Sequence, residues 1–363
     1  VNLLRRVWPW AAGVLAVTVL FSAIDPVGKI FSGWPAYLVL SSVGAGLIFG
    51  AWKWVAGSDR PRWLAIALGL ALGLRLLVGW GLEVALPLWG YDEPIQRAGY
   101  VFYDASKRDK DAWALAASDK PLTAAFSPRY TSDQYGTLLF ASASIYRGLS
   151  EHMHRPLLIV FVTSIVGALA VLFTWAFSGM VFGARAGAFA AWTVALFPEA
   201  ILLSASQMRE PYIMTGLAIA FYGLARTRIG DTRGALPALL GGSLLCLAVS
   251  PPFGVNCVLL LVAAWLWEAQ GLGRRPWVVG MVAVLVVAAI GLTFRAWSSI
   301  GGLPGEGLFD VLIGWFTAGS KYELAQLQEV SGIVQYLFNL TPKWLHLPLA
   351  TAYGLTQPFL PAA

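Results

Sequence analysis

The sequence predicts an all-α protein: a polytopic transmembrane helical bundle of roughly 9–12 spans, with a polar exoplasmic loop that contains juxtamembrane helices. Three observations predict it. Hydrophobic residues make up 58% of the chain and charged residues only 12%. Apolar stretches of about 20 residues recur, each long enough to cross the hydrocarbon core. These runs are unbroken, whereas a β-barrel would show short alternating segments. The polar residues are gathered in one place. Eight of the 19 carboxylates lie between residues 83 and 133: Glu83, Asp92, Glu93, Asp104, Asp109, Asp111, Asp119 and Asp133.

Taken in order, the first span covers residues 7–24 and follows Arg5-Arg6. It reads as a span and not as a cleavable signal peptide. A short turn, Asp25-Pro26-Val27-Gly28-Lys29, leads to the second span at 34–55. Lys53, Arg60 and Arg62 mark the next loop, and the third span runs over 63–82. Arg75 sits inside it. An intramembrane charge is costly and normally faces the bundle interior or a water-filled cavity, unless it snorkels from a helix end.

The polar loop opens on Gly90-Tyr91-Asp92-Glu93-Pro94. Asp, an acid in the first turn and an early Pro together predict a helix start with Asp92 as N-cap. Tyr100, Phe102 and Tyr103 would continue along that helix, with Arg97 pairing to Glu93 one turn away. The run Lys107-Arg108-Asp109-Lys110-Asp111 reads as a solvated turn. The loop returns through Arg129, Asp133 and Tyr135-Gly136 into an apolar piece at 137–149, too short for a normal span.

Further spans are expected at 157–182, 186–204, 212–225, 236–249, 256–267 and 277–294, several of them short. If 137–149 makes no net crossing, Arg185, the Arg226/Arg228/Arg233 loop and Arg274-Arg275 are all cytoplasmic, as the positive-inside bias prefers. Arg5-Arg6 and the Lys53/Arg60/Arg62 loop, sharing one side, make the N-terminus cytoplasmic and the 83–135 loop exoplasmic. Residues 309–318 are too short to span, 321–329 form a polar stretch, and 337–360 are apolar but interrupted. The chain divides into N-terminal transmembrane helices (1–82), the exoplasmic loop with the candidate site (83–136), a transmembrane core (137–295), and a further exoplasmic loop with C-terminal membrane segments (296–363). Opening at Val1 and stopping at Pro361-Ala362-Ala363 fits a piece of a longer protein.

The formal charge of +6 spread over membrane loops is a topology signal and does not suggest nucleic-acid binding. Cys246 and Cys257 sit in or beside apolar runs and read as packing residues. His152, His154 and His346 are too scattered for a convincing metal site, and His152 and His154 read as interfacial. Seventeen tryptophans fit interfacial belts.

Three charged features share the exoplasmic side: Asp92-Glu93, Arg129 with Asp133, and Arg209-Glu210. A carboxylate there can act as general base toward an acceptor hydroxyl, and an Arg can hold a phosphate through two parallel hydrogen bonds. The acidic pair, the Tyr135-Gly136 return, Leu196-Phe197-Pro198-Glu199 and Ser204-Ala205-Ser206-Gln207-Met208-Arg209-Glu210-Pro211 together resemble the GT-C superfamily of integral membrane glycosyltransferases. The likeness is to the branch of protein O-mannosyltransferases and lipid A aminoarabinose transferases, and it spans roughly residues 62–225. It implies hexosyl or pentosyl transfer from a polyprenyl-phosphate-linked sugar to a lipid, glycan or protein acceptor. It also implies Asp92 or Glu93 as catalytic base, with Arg209, Glu210, Arg129, Arg97, Tyr100 and Tyr135 as substrate-binding candidates. Two features depart from the family: two spans precede the third here, where the family's acidic pair follows the first span, and no soluble C-terminal domain is recognisable.

Each residue also has a plain structural reading. Asp92 can be an N-cap, Glu93 and Glu210 first-turn partners of a helix dipole, and Arg209 part of a helix start. Arg129 can pair on the surface with Asp133 or Asp119, and Tyr100 and Tyr103 can be interfacial packing. No cofactor is required by the sequence. Asp92, Glu93 and Asp133 could hold a divalent metal. The alternatives to a transferase are a lipid-linked sugar transporter or flippase, which needs charges deep in several spans, and a non-catalytic scaffold subunit of a membrane complex.

Overall fold

The computed structural model describes residues 2–29, 31–57, 61–127, 130, 133, 135–150 and 153–269. Arg129, His152, His346 and all segments expected beyond residue 270 lie outside them. Every described element is helical: α1 (Asn2–Ile24), α2 (Trp34–Ala56), α3 (Arg62–Trp89), α4 (Pro94–Arg97), α5 (Tyr103–Ala116), a 3₁₀ turn (Leu122–Phe126), α6 (Thr137–Leu149), α7 (Pro156–Phe182), α8 (Ala184–Leu196), α9 (Pro198–Ala205), α10 (Glu210–Arg228), α11 (Thr232–Val249) and α12 (Pro251–Ala269).

Four of these, α2, α3, α7 and α11, are long and apolar enough to cross a membrane, and the bent pair α8–α9 makes a fifth. Apolar stretches of α1 and α12 are shorter. The chain is a multi-pass integral membrane protein. Its lipid-facing wall is legible in exposed residues that recur mostly every four positions: Val39, Val43 and Leu47 on α2, Ile66, Leu70 and Leu77 on α3, Leu236, Leu240 and Leu244 on α11. Helix α7 is the most buried of the spans and the hub of the bundle. It packs Phe161 and Ile165 against Phe21, Tyr37 and Leu76, then Ala168, Val171 and Leu172 against Leu64, Leu68, Ala191 and Ala195. Farther along, Phe173 and Ala176 meet Ala218, Tyr222 and Ala238. An all-round apolar sequence such as α7 belongs in that central place.

Helix α3 continues to Trp89, past the expected end at residue 82, because nothing before Gly90 breaks it; Pro87 is carried within the helix. The expected span at 186–204 is broken at Pro198, where α8 and α9 meet at 48°. Arg75 is fully buried against that break. Its guanidinium donates to the carbonyls of Val194 (3.0 Å) and Ala195 (3.3 Å), to Ala71 O (2.9 Å) and to Ser204 Oγ (3.2 Å). The last carbonyls of a helix lack helical donors, and Arg75 supplies them at a depth that water does not reach.

Helices α10 and α11 lie in contact through glycines. A Cβ on Gly242 would stand 2.5 Å from Ala220 N, and one on Gly216 2.9 Å from Gly242 O. Small residues at such a seam let backbones approach closely where the hydrophobic effect gives little drive. Gly242→Leu should therefore lower stability by about 1–3 kcal/mol or more, read as a lower thermal midpoint in detergent. Gly241→Leu, with open space around it, should leave the midpoint unchanged. Cys246 and Cys257 are free and buried in the packing of α10, α11 and α12.

The chain crossings sort the polar segments into two ends. Lys53, Arg62, Arg185, Arg226, Arg228 and Arg233 sit at or next to the helix ends on one side of the bundle. The Asp25 turn, the segment from Gly90 to Arg155, and the α9–α10 junction gather at the other. There Trp80 Nε1 donates to Ile24 O (3.1 Å) and Arg155 forms a buried ion pair with Asp25 at 2.5 Å, to which Tyr37 also donates. Helix α6 packs on α5 and the 3₁₀ turn in a small core, Ala112, Leu115, Ala125, Leu139, Ala143 and Tyr146, which Ile159 of α7 joins. At 13 residues it is about 20 Å long, and it forms part of a cap over this end.

Candidate functional site

The acidic pair lies on a tight turn at the mouth of α3. Leu86 O accepts from Gly90 N (2.9 Å), Tyr91 O accepts from Glu93 N (2.7 Å), and the Gln96 side chain accepts from Tyr91 N (2.6 Å). This fastening presents Asp92 to solvent with its side chain 92% exposed. Glu93 is exposed beside it. Trp89 and Tyr91, 82% and 80% exposed, directly precede the pair in the chain.

The helix-start expectation holds in place and fails in detail. Helix α4 begins at Pro94 and lasts four residues; its N-cap is Glu93, without a side-chain cap bond. Asp92 does not cap it. Arg97 pairs with Asp92 at 2.8 Å instead of with Glu93. The helix cannot continue through Tyr100, because Gly99 takes a left-handed conformation (φ +82°). Tyr103 begins α5 as a separate helix.

The largest departure is the run from Lys107 to Asp111. It is the middle of α5, and Arg108 and Asp109 are buried. Asp109 accepts from Tyr100 Oη (2.5 Å) and Tyr146 Oη and meets His154 Nε2 at 2.6 Å. Burial, and then the Asp109 carboxylate, push both phenols well above the usual tyrosine range, so they stay protonated and donate. His154 is more than an interfacial residue, since it stacks on Trp113 with ring centroids 5.3 Å apart. Tyr100 is thus committed to the cap interior and is not available as a sugar platform. Asp109→Ala would strand two buried phenol donors at about 1–3 kcal/mol each and leave the part-exposed His154 ring without this partner. The variant should show faster hydrogen exchange across α5 and α6, with α7 unchanged.

Arg108 ties this cap to the bundle by donating to Gln207 O. Gln207 holds a left-handed backbone (φ +57°) and its amide donates to Pro156 O (3.3 Å). A non-glycine residue there is strained, and such strain persists only where the surroundings fix it. Two residues on, Arg209 is the N-cap of α10 and Glu210 stands in its first turn, their charged groups 3.7 Å apart. Both are half-exposed, and Glu210 sits where the helix dipole favours an acid.

Asp133 accepts from Leu139 N (3.0 Å) and so caps the start of α6. Tyr135 is half-buried beside Gly136, whose left-handed backbone packs on Ala125. Among the described residues no three acidic, His or Cys side chains could hold a metal ion. Asp92, Glu93 and Asp133 therefore do not form a metal centre. The structure brings Asp92, Glu93 and Arg97 together on one loop; it uses Tyr100 and Asp133 to build the cap.

Comparison with protein-family models, curated proteins and solved structures finds no match to this chain.

The sequence reading took Arg108 and Asp109 for part of a solvated turn and His154 for an interfacial residue, and it did not single out Tyr146. One signal pointed to them. Ala105, Asp109, Ala112 and Ala116 recur at helical spacing, a buried stripe in which Asp109 occupies an interior position.

Proposed function

We propose that this protein is a membrane glycosyltransferase of GT-C type, moving a sugar from a polyprenyl-phosphate donor to an acceptor hydroxyl on the exoplasmic side. The observation that carries the proposal is the Asp92 carboxylate. It is held on a fastened turn at the end of a membrane helix, directly after two exposed aromatic residues, and among the described residues its one bond is the ion pair with Arg97. Aromatic faces suit both a sugar ring and the membrane interface.

In this reading Asp92 removes the proton from the acceptor hydroxyl as its oxygen attacks the anomeric carbon. The bond from that carbon to the phosphate oxygen breaks, and polyprenyl phosphate leaves with the electron pair. Arg97, released from Asp92, and Arg209 at the start of α10 would balance the phosphate charge. Glu93 stands beside the base. A single displacement inverts the anomeric centre; retention needs a second carboxylate across the ring. The bundle end carrying the basic loops faces the cytoplasm by the positive-inside rule, which leaves the cap exoplasmic.

The purified full chain in lipid vesicles, given polyprenyl-phosphate sugars and a mixture of acceptor lipids and glycans, should release polyprenyl phosphate. Movement of the intact lipid-linked sugar across the bilayer without cleavage would mean a flippase; neither reaction would favour a scaffold. Arg75, the deep charge a flippase would use, is occupied by the carbonyls of α8.

A further inference from the structure

A second site lies at the joint between cap and bundle. A cavity of about 20 Å³ is lined there by the end of α3, the turn before α5, the start of α7 and the α9–α10 junction. Glu83 and Ser206 line it. Among the described residues, Glu83 Oε2 and Ser206 Oγ are both buried without a hydrogen-bond partner. Ser206 as a whole is only 7% exposed.

The electrostatics favour one kind of occupant. The charges that act on Glu83 are Asp25 and Asp109, both negative. The guanidiniums nearby are engaged elsewhere, Arg155 with Asp25 and Arg108 with Gln207 O. A buried carboxylate without a partner is expensive and calls for neutralisation. Helix α9 ends at this cavity with Ala205 and α7 begins there at Pro156, so the partial charges of the two helix ends oppose each other and the Glu83 carboxylate sets the sign. Because residue 87 is Pro, the Glu83 carbonyl also receives no N–H from it. The volume admits one ligand the size of a water molecule. Ends of broken helices with freed carbonyls bind small monovalent cations in membrane proteins. One carboxylate among neutral oxygens suits such an ion better than a divalent one.

We propose that this cavity is a monovalent-cation site, with Glu83 and Ser206 as side-chain ligands, and that the bound ion locks the cap onto the bundle. The proposal is independent of the transferase reading.

The test is thermal unfolding of the full chain in detergent, in sodium chloride against N-methylglucamine chloride at equal ionic strength. Sodium should raise the midpoint saturably by about 2–4 °C. Glu83→Gln should remove the rise and Ser206→Ala should weaken it. Equal wild-type midpoints in the two salts would overturn the proposal. So would a rise that persists in Glu83→Gln, or a midpoint that responds to pH and not to sodium, which would mean a proton neutralises Glu83. If Glu83→Gln does not fold, sodium NMR decides. Line broadening by the wild type that Ser206→Ala reduces supports the site, and broadening unaffected by Ser206→Ala overturns it.

Discussion

Asp92→Ala should lower sugar transfer by about 10²–10⁴-fold, the usual contribution of a positioned general base, and leave the thermal midpoint unchanged. The two halves of this expectation come from the same fact. A side chain 92% exposed contributes little packing, and its ion pair with Arg97, itself 63% exposed, has small energetic weight. Removing Asp92 therefore removes chemistry without removing structure. Asp92→Asn sharpens the test. It keeps shape and hydrogen-bonding capacity but cannot accept the proton at neutral pH, so its loss should match that of Ala. If the loop were only a docking surface, Asn would behave as wild type. Both activity and midpoint should be measured on the same preparation.

Arg75→Met should be the most damaging single change in the described bundle. The aliphatic stem keeps its packing, but the carbonyls of Val194 and Ala195 and the hydroxyl of Ser204 lose their donor. Each buried orphan costs about 1–3 kcal/mol, so a total of about 3 kcal/mol or more is expected. Arg75→Lys should recover only part of this. An ammonium on a shorter stem cannot reproduce the planar fork that serves both α8 and α9. Thermal unfolding in detergent measures the loss, and faster hydrogen exchange at residues 192–206 would localise it.

Much of the bundle was legible in the sequence. A long apolar run has few alternatives to a helix in lipid, and α1, α2, α7 and α11 fall within a few residues of their expected ranges. The α8–α9 break was less plain. Pro198 can lie within a bent span, and what stabilises the bend is Arg75, about 120 residues away in sequence. Helix α5 was hidden for a similar reason. Five consecutive charged residues look solvated until their partners are known. Asp109 is buried because Tyr146, His154 and Tyr100 surround it, and Arg108 because Gln207, 99 residues on, turns its carbonyl toward it. Composition carries no trace of those pairings.

The acidic pair was legible as a feature but not in its geometry. Its capping signature is real, yet the helix that follows lasts only four residues. Pro94 starts that helix and Gly99 ends it before Tyr100 can join. The consequence for function is favourable to the proposal: Asp92, unneeded as a cap, stays in solvent, while Tyr100 turns inward to Asp109.

A high-resolution map of the full chain purified with native lipid would show whether Asp92 faces a lipid-linked donor. Elongated lipid density is expected along the end of α3, with its phosphate head beside Trp89 and Tyr91 and within reach of Asp92, and with Arg97 turned from Asp92 to the phosphate. A map in which Asp92 and Arg97 remain paired, with no phosphate-headed lipid at the mouth of α3, would contradict the transferase proposal.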